Sequence, residues 1–492
     1  MKIAAPAFVV AVAAVAVALA VAHRSSRHAT AWNGSTLRVT FVDRDGDGVL
    51  ERGPGEPLDV RTDLSPGSRR GRTLATFAQV TDTHIVDEES PARLEMLDRL
   101  GSPFTSAFRP QEPLTGQVLA ATLRSLNALR PQALVVTGDL IDNAQSNELT
   151  EATSILKGGL VDPSSGAQRY EGVQSANDPD PFYYRPGIDP PRHPGLLAAA
   201  ERDFRSPGSR APWYPVVGNH DLLVQGNFAP SAETRRVAVG PLKLVRLSPA
   251  AVAAAKEGAL SASLVHSLLS RGLPGTAEPV IPDPRRRELS APEVLKRLRS
   301  ASGHGGSGPL MDYAFDIGSR VRAIVLDVIR RDVGSSGVVH AGQVHWLASR
   351  LRAAGARWVI VFSHAPLDRI AGGDRLLALL DRDPYVISAI AGDTHRNSIV
   401  PRRTRDGGYW LITTSSLVDY PQQARMFRLR QTARGVVLET WLVDADPGDR
   451  LASISRRLAY LDYQGGRPQH LAGTRRDRNA ALFLTRRPQV LR

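Results

Sequence analysis

Five short polar motifs follow apolar runs along the chain: Asp82-Thr83-His84, Gly138-Asp139-Leu140-Ile141-Asp142, Gly218-Asn219-His220-Asp221, Ser363-His364 and Gly392-Asp393-Thr394-His395. Aspartate, asparagine and histidine supply the oxygen and imidazole donors that hard and borderline divalent cations take, so groups of this kind on a rigid frame suit a two-metal site. The Asp-x-His spacing matters physically, because alternate residues of an extended segment point to the same side. The chain has no cysteine, which excludes thiolate ligands and a disulfide framework.

The elements that must carry these motifs are legible as strands. Ala133 to Val136 is an apolar run between Pro131 and Gly138, too short for an ordinary helix. Similar runs at 74–81, 213–217, 358–362 and 387–391 precede the other four motifs. Carboxylates at such strand ends face the ligand crevice of open α/β sheets. Between the first two strands, Val118, Leu119, Thr122, Leu126 and Leu129 fall at helical spacing before Pro131 stops the helix. The order predicts a parallel βαβ unit. Residues 313–328 read as a hairpin-like pair and 343–351 as an amphipathic helix before the strand at 358.

DxH, GDxxD, GNHD, a single histidine and GxxH, in that order over about residues 74–445, resemble the calcineurin-like metallophosphoesterases. The segments SPARLEMLDR (90–99), DNAQSNEL (142–149) and HDLLVQGN (220–227) resemble an exported bacterial branch with long inserts. The resemblance implies an α/β sandwich of two mixed β-sheets flanked by helices. It also implies two divalent cations (Mn, Fe, Zn or Mg), one held by Asp82, His84, Asp139 and His395, the other by Asp139, Asn219, His364 and residue 393. Cations ~3.5–4 Å apart share a hydroxide and clamp phosphoryl oxygens during hydrolysis of a phosphate mono- or diester. His220 would be the catalytic acid outside the ligand set and Asp142 would orient it, since a carboxylate fixes the imidazole tautomer and raises its pKa. Asp221 would stand behind the ligands.

Position 393 departs from the family, which usually has histidine there. Aspartate still ligates, but adds negative charge and shifts preference from zinc toward manganese, iron or magnesium. The alternative is a catalytically degenerate envelope protein that keeps the fold for a structural or binding role. His304 is a candidate on the substrate side, His345 is expected to face outward, and Arg396 and Asn397 are candidates to touch the phosphoryl group.

The rest of the chain frames this core. Residues 4–22 form an uncharged apolar run behind Lys2, which predicts export through a signal peptide, or a membrane anchor near the ~20 residues that span a bilayer. Residues 23–73 read as an N-terminal arm or linker, 74–445 as the main domain with inserts at about 157–211 and 229–310, and 446–492 as a C-terminal extension. The insert piece 248–270 is predicted helical. Asp43, Asp45, Asp47 and Gly48 match the start of a calcium loop, but its twelfth position is Pro54, not glutamate. The net charge is +13, from 62 lysines and arginines against 49 acids. The basic residues come in scattered pairs and triplets without aromatic interleaving, so no specific nucleic-acid partner is expected. Oligomeric state is not legible.

Overall fold

The structure, a computed structural model, describes residues 33–485 except 102–104, 258–265, 267, 268, 270, 271, 333, 406 and 465–469. The apolar run at 4–22 lies outside the described residues. Among those described, no helix is long and apolar enough to cross a membrane. Residues from Gly34 onward form one compact unit, and it holds all the elements that follow.

Its frame is a pair of mixed sheets. The seven-stranded sheet has the order β3 (Asp59–Arg61), β19 (Ala480–Thr485), β18 (Gly435–Asp444), β17 (Gln423–Thr432), β4 (Arg72–Val80), β5 (Ala133–Thr137), β8 (Trp213–Val216). β4, β5 and β8 run parallel, with Val80 opposite Val136 and Thr137 opposite Val216. The six-stranded sheet has the order β11 (Tyr313–Ile317), β12 (Val321–Leu326), β13 (Trp358–Ser363), β14 (Val386–Ala391), β16 (Gly407–Thr413), β15 (Ser398–Thr404). Its four middle strands are parallel and its edge strands antiparallel. Three small pairs lie outside the frame: β1 (Val39–Val42) with β2 (Glu51–Pro54), β6 (Gly159–Val161) with β7 (Phe204–Ser206), and β9 (Leu242–Leu247) with β10 (Gly275–Pro279).

Strand periodicity explains how the layers stick. On β13, Ile360 and Phe362 pack into the core between the sheets, while Val359 and Val361 pack outward under helices α5 (Gln343–Ala354) and α6 (Gly373–Leu380). Both faces are covered, so the strand reads as an unbroken apolar run, and each such side chain contributes ~1.5–3 kcal/mol on burial. Phe77 ties the layers together, meeting Phe362 of the other sheet edge-on at 5.9 Å and stacking on Phe427 at 4.6 Å. Helices α1 (Thr115–Leu129) and α2 (Ser146–Lys157) pack on each other, and α1 also meets β18 and α7 (Arg450–Gln464). The β4–α1–β5 connection is the parallel unit that the sequence predicts.

The two ends of the described chain are more than an arm and an extension. β3, within 23–73, pairs in parallel with β19, within 446–492, with Asp59 opposite Ala480 and Arg61 opposite Leu482. β19 in turn pairs with β18. A three-residue strand amid Gly, Pro and Arg gives no periodic signal, which is why composition alone reads as linker. In the second insert, α3 (Pro249–Glu257) covers the first part of the predicted helix, and α4 (Ala291–Ser302) follows with a Ser290/Glu293 capping box.

Candidate metal centre

The C-terminal ends of β4, β5 and β8 from one sheet and β13 and β14 from the other meet at one edge of the sandwich. Parallel pairing brings Asp82, Asp139 and Asn219 side by side, and the facing sheet brings His364, Asp393 and His395. Glycine makes this approach possible. A Cβ on Gly138, whose φ is +92°, would stand 2.4 Å from His364 Nδ1, and one on Gly392 would stand 1.9 Å from Thr81 Oγ1. Asp82, His84, Asp139, Asp393 and His395 all hold positive φ, between 44° and 64°. Non-glycine residues pay of order 1–3 kcal/mol for such backbone, a cost that clusters at functional sites.

Three groups converge within metal-binding reach: Asp82, His84 and His395; Asp82, Asp139 and His364; and His84, Asp142 and His220. His395 Nε2 lies 3.4 Å from Asp82 Oδ1 and 3.3 Å from His84 Nε2. His364 Nε2 lies 3.2 Å from Asp139 Oδ2, 3.1 Å from Asn219 Oδ1 and 3.6 Å from Asp393 Oδ1. Asp139 is therefore common to two sets, since His84 Nε2 reaches the same Oδ2 at 3.8 Å.

Every imidazole is tied at Nδ1, which leaves Nε2 turned to the centre. His84 Nδ1 meets Asp142 Oδ1 at 2.7 Å, His395 Nδ1 meets Asp419 Oδ2 at 2.5 Å, and His364 Nδ1 donates to the Thr137 carbonyl at 2.7 Å. The Asn219 amide donates to the Gly226 carbonyl at 3.2 Å, which turns its Oδ1 inward. Among the described residues, the ion pairs of Asp82, Asp139 and Asp393 are all with histidines. Crowded carboxylates with no lysine or arginine beside them, facing presented Nε2 atoms, fit a pair of divalent cations.

The electrostatics agree. Burial raises the Asp139 carboxyl, yet the His364 and His220 charges hold it below the usual range. Burial and the His220 charge push His84 down to about 4, against the pull of Asp142. Burial opposes charge on His395, but the Asp82 and Asp419 carboxylates push it up to about 10. Burial likewise opposes charge on His220, while Asp139 and Asp142 raise it. Asp393 is raised by burial, with the His364 charge opposing.

All nine candidate residues, Asp82, His84, Asp139, Asp142, Asn219, His220, His364, Asp393 and His395, fall in this one place. Asp142 reaches His220 Nδ1 at 3.1 Å, but its shorter contact is to His84, and its other oxygen takes Arg93 Nη1 at 2.5 Å. Asp142 thus serves two histidines, not His220 alone. Asp221 accepts from the Leu140, Ile141 and Gly218 amides at 2.9, 3.1 and 2.7 Å, stitching two motif loops together.

Asn397 is fully buried, its Oδ1 accepting from Arg425 Nη2 and the Ser415 amide and its amide donating to Ser415 Oγ and the Ala472 carbonyl, so its polar atoms are spent on joining β15 to the tail. His304 stacks on Tyr214 at 4.3 Å, on the flank of β8. His345 and Arg396 are exposed. Asp43, Asp45 and Asp47 do converge, but Pro54 is held in β2 opposite Val39. Sequence reasoning missed Asp419, Arg93, Arg109 and Glu112. Asp419 sits behind β16, the same pattern of a polar residue after an apolar run, but without a histidine beside it to mark it.

Beside Asn219 and His220 a cleft of about 230 Å³ opens, walled by apolar Leu94, Leu97, Ala107 and Phe228 and by polar Ser106, Gln225, Asn227 and Ser335. Arg93 also borders it, but is buried and paired with Asp142 and Glu112.

Comparison with known proteins follows from this geometry. Among solved structures, a dimetal phosphatase from Danio rerio is 15% identical, with a TM-score of 0.40 over 76% of this chain and 100% of that one. A purple acid phosphatase from yellow lupin (Lupinus luteus) seeds is 11% identical, with a TM-score of 0.34 over 82% of this chain and 55% of that one. No curated protein matches the chain. The family model "Calcineurin-like phosphoesterase" matches residues 75–397, well over half of the sequence. With its strand-end carboxylates and imidazoles gathered at one edge of the sandwich, the chain belongs to the calcineurin-like phosphoesterases, metal-dependent enzymes that hydrolyse phosphate esters.

Proposed function

We propose that the protein is an exported dinuclear phosphoesterase acting on phosphate mono- or diesters. The observation that carries it is the convergence of three presented Nε2 atoms on Asp82 and Asp139. Asp82, His84, Asp139 and His395 would hold one cation. Asp139, Asn219, His364 and Asp393 would hold the other. When bound, a pair of divalent cations supplies Lewis acidity toward phosphoryl oxygens and a nucleophile at neutral pH.

The chain's own groups do the rest. His220, raised by Asp139 and Asp142 and one-fifth exposed, is placed to hold a proton at Nε2 for the departing oxygen. The cleft beside it would receive the alcohol portion. Its lining mixes apolar Leu94, Leu97, Ala107 and Phe228 with Ser106, Gln225, Asn227 and Ser335, so both apolar and hydrogen-bonding portions of an alcohol would find partners there. Export is supported by the apolar run at 4–22.

Asp393 favours a second reading, a mononuclear or non-catalytic envelope protein, because it belongs to none of the three converging groups. Metal analysis with assays on 4-nitrophenyl phosphate and its bis-ester separates the two. About two equivalents of metal with turnover supports the enzyme. One equivalent or none, without turnover, supports the rival. Export is checked separately by deleting residues 1–22, which is expected to leave the protein in the cytoplasm.

A further inference from the structure

Behind the candidate ligands runs a closed ring of ionisable groups. Starting at His84, Nδ1 meets Asp142 Oδ1 at 2.7 Å, Asp142 Oδ2 takes Arg93 Nη1 at 2.5 Å, and Arg93 Nη2 donates to Glu112 Oε1. The same Glu112 oxygen lies 3.6 Å from Arg109 Nη1. Arg109 Nε donates to Asp419 Oδ1 at 2.7 Å, and Asp419 Oδ2 meets His395 Nδ1 at 2.5 Å. His395 Nε2 returns to His84 Nε2 at 3.3 Å. Arg93, Arg109 and Glu112 are only 1, 3 and 2% exposed.

Such a ring has to be explained, since two arginines and three carboxylates taken out of water are costly unless each is paired in good geometry. A purely structural ion pair would need one arginine and one acid. Here Arg93 ends on Asp142 and Arg109 on Asp419, and these two carboxylates end on different imidazoles, His84 and His395, of the same candidate cation site. Glu112 is the one acid that touches both arginines and neither histidine. It opens the turn Glu112–Leu114, which leads directly into α1. The ring therefore refers two imidazoles, brought in by different sheets, to a single point on the turn that leads into α1.

We propose that Glu112 is a positioning residue of the metal centre: through Arg93–Asp142 and Arg109–Asp419 it sets the orientation of His84 and His395 together, and so the affinity of the cation they would share with Asp82. This rests on the dinuclear reading above. Partners of ligating imidazoles tune affinity by about 10- to 100-fold. Glu112 stands one step further out but governs two such partners at once, so a loss near the lower end of that range is expected on each arm.

The test is Co2+ titration of apo Glu112→Gln and wild type, followed by calorimetry and by the visible absorption of bound Co2+, with thermal unfolding as the control for folding. Glutamine keeps the shape and removes the charge. The expected result is a first-site affinity at least tenfold weaker with an altered Co2+ spectrum, and a second-site affinity unchanged. Arg109→Lys, which keeps the charge but loses the fork, is expected to give a smaller loss at the same site only; it also stands in should Glu112→Gln fail to fold. Wild-type affinity and spectrum in a folded variant overturn the positioning role while leaving the dinuclear enzyme intact. Failure of wild type to take two Co2+ overturns the underlying reading instead.

Discussion

The two halves of the candidate metal centre are anchored by different means. In the Asp82, His84 and His395 half, each imidazole leans on a carboxylate, and each carboxylate on a buried arginine. In the Asn219, His364 and Asp393 half, the ligands lean on the main chain: His364 on the Thr137 carbonyl and Asn219 on the Gly226 carbonyl. Side-chain anchors can be removed by substitution, whereas carbonyl anchors stay as long as the strands pair. Donor chemistry differs as well. The first half offers two nitrogens, the second only one, with oxygens from Asp139, Asn219 and Asp393. A carboxylate behind an imidazole also makes it a stronger donor. The first half should therefore take the more nitrogen-seeking cation, and the second manganese or magnesium.

Asp139 is the one residue common to both halves, and its substitution breaks them together. Asp139→Asn is expected to lower turnover by well over a hundredfold and to weaken both metal sites in one titration. Near-wild-type turnover would mean that the halves are not bridged there.

His220 stands outside the contrast and sharpens it. His220→Ala is expected to cost on the order of a hundredfold with poor leaving groups, much less with 4-nitrophenolate, and to leave metal content at the wild-type value. Equal losses for both kinds of ester would remove the acid role.

Asp419→Asn tests the side-chain anchor. The expected change is about 10- to 100-fold weaker binding in the first half alone, read by metal titration. An equal loss in both halves would erase the distinction drawn here.

The smallest effect is expected from Asp393→His, which exchanges an oxygen donor for a nitrogen. Turnover should survive and the preferred second metal should move toward zinc, while Asp393→Ala should vacate the position and weaken that site by roughly 10-fold or more. If Asp393→Ala binds as wild type does, Asp393 is a neighbour and not a donor.

What could be read in the sequence follows the same contrast. Candidate ligands at strand ends are legible because a period-two or unbroken apolar run marks the strand, and its end marks the candidate site: β5 with Asp139, β13 with His364, β14 with Asp393 and His395. Their supports are not. Arg93 and Glu112 lie 19 residues apart in irregular chain, and Arg109 and Asp419 lie 310 apart. A lone arginine in a loop reads as solvent-facing until its partner is placed. The same holds for β3 and β19, whose pairing joins the two ends of the chain and leaves no mark in either segment alone. The left-handed backbone at Asp82 and His84 was equally invisible, since it is imposed by the converging sheets and not by local propensity.

Titration of the metal-free protein with Mn2+ by calorimetry tests the central claim most directly. Two sites that would share Asp139 predict two equivalents bound per chain in wild type, and a loss of affinity at both on Asp139→Asn. A single equivalent in wild type, or two that ignore Asp139→Asn, would contradict a dinuclear centre built on these strand ends.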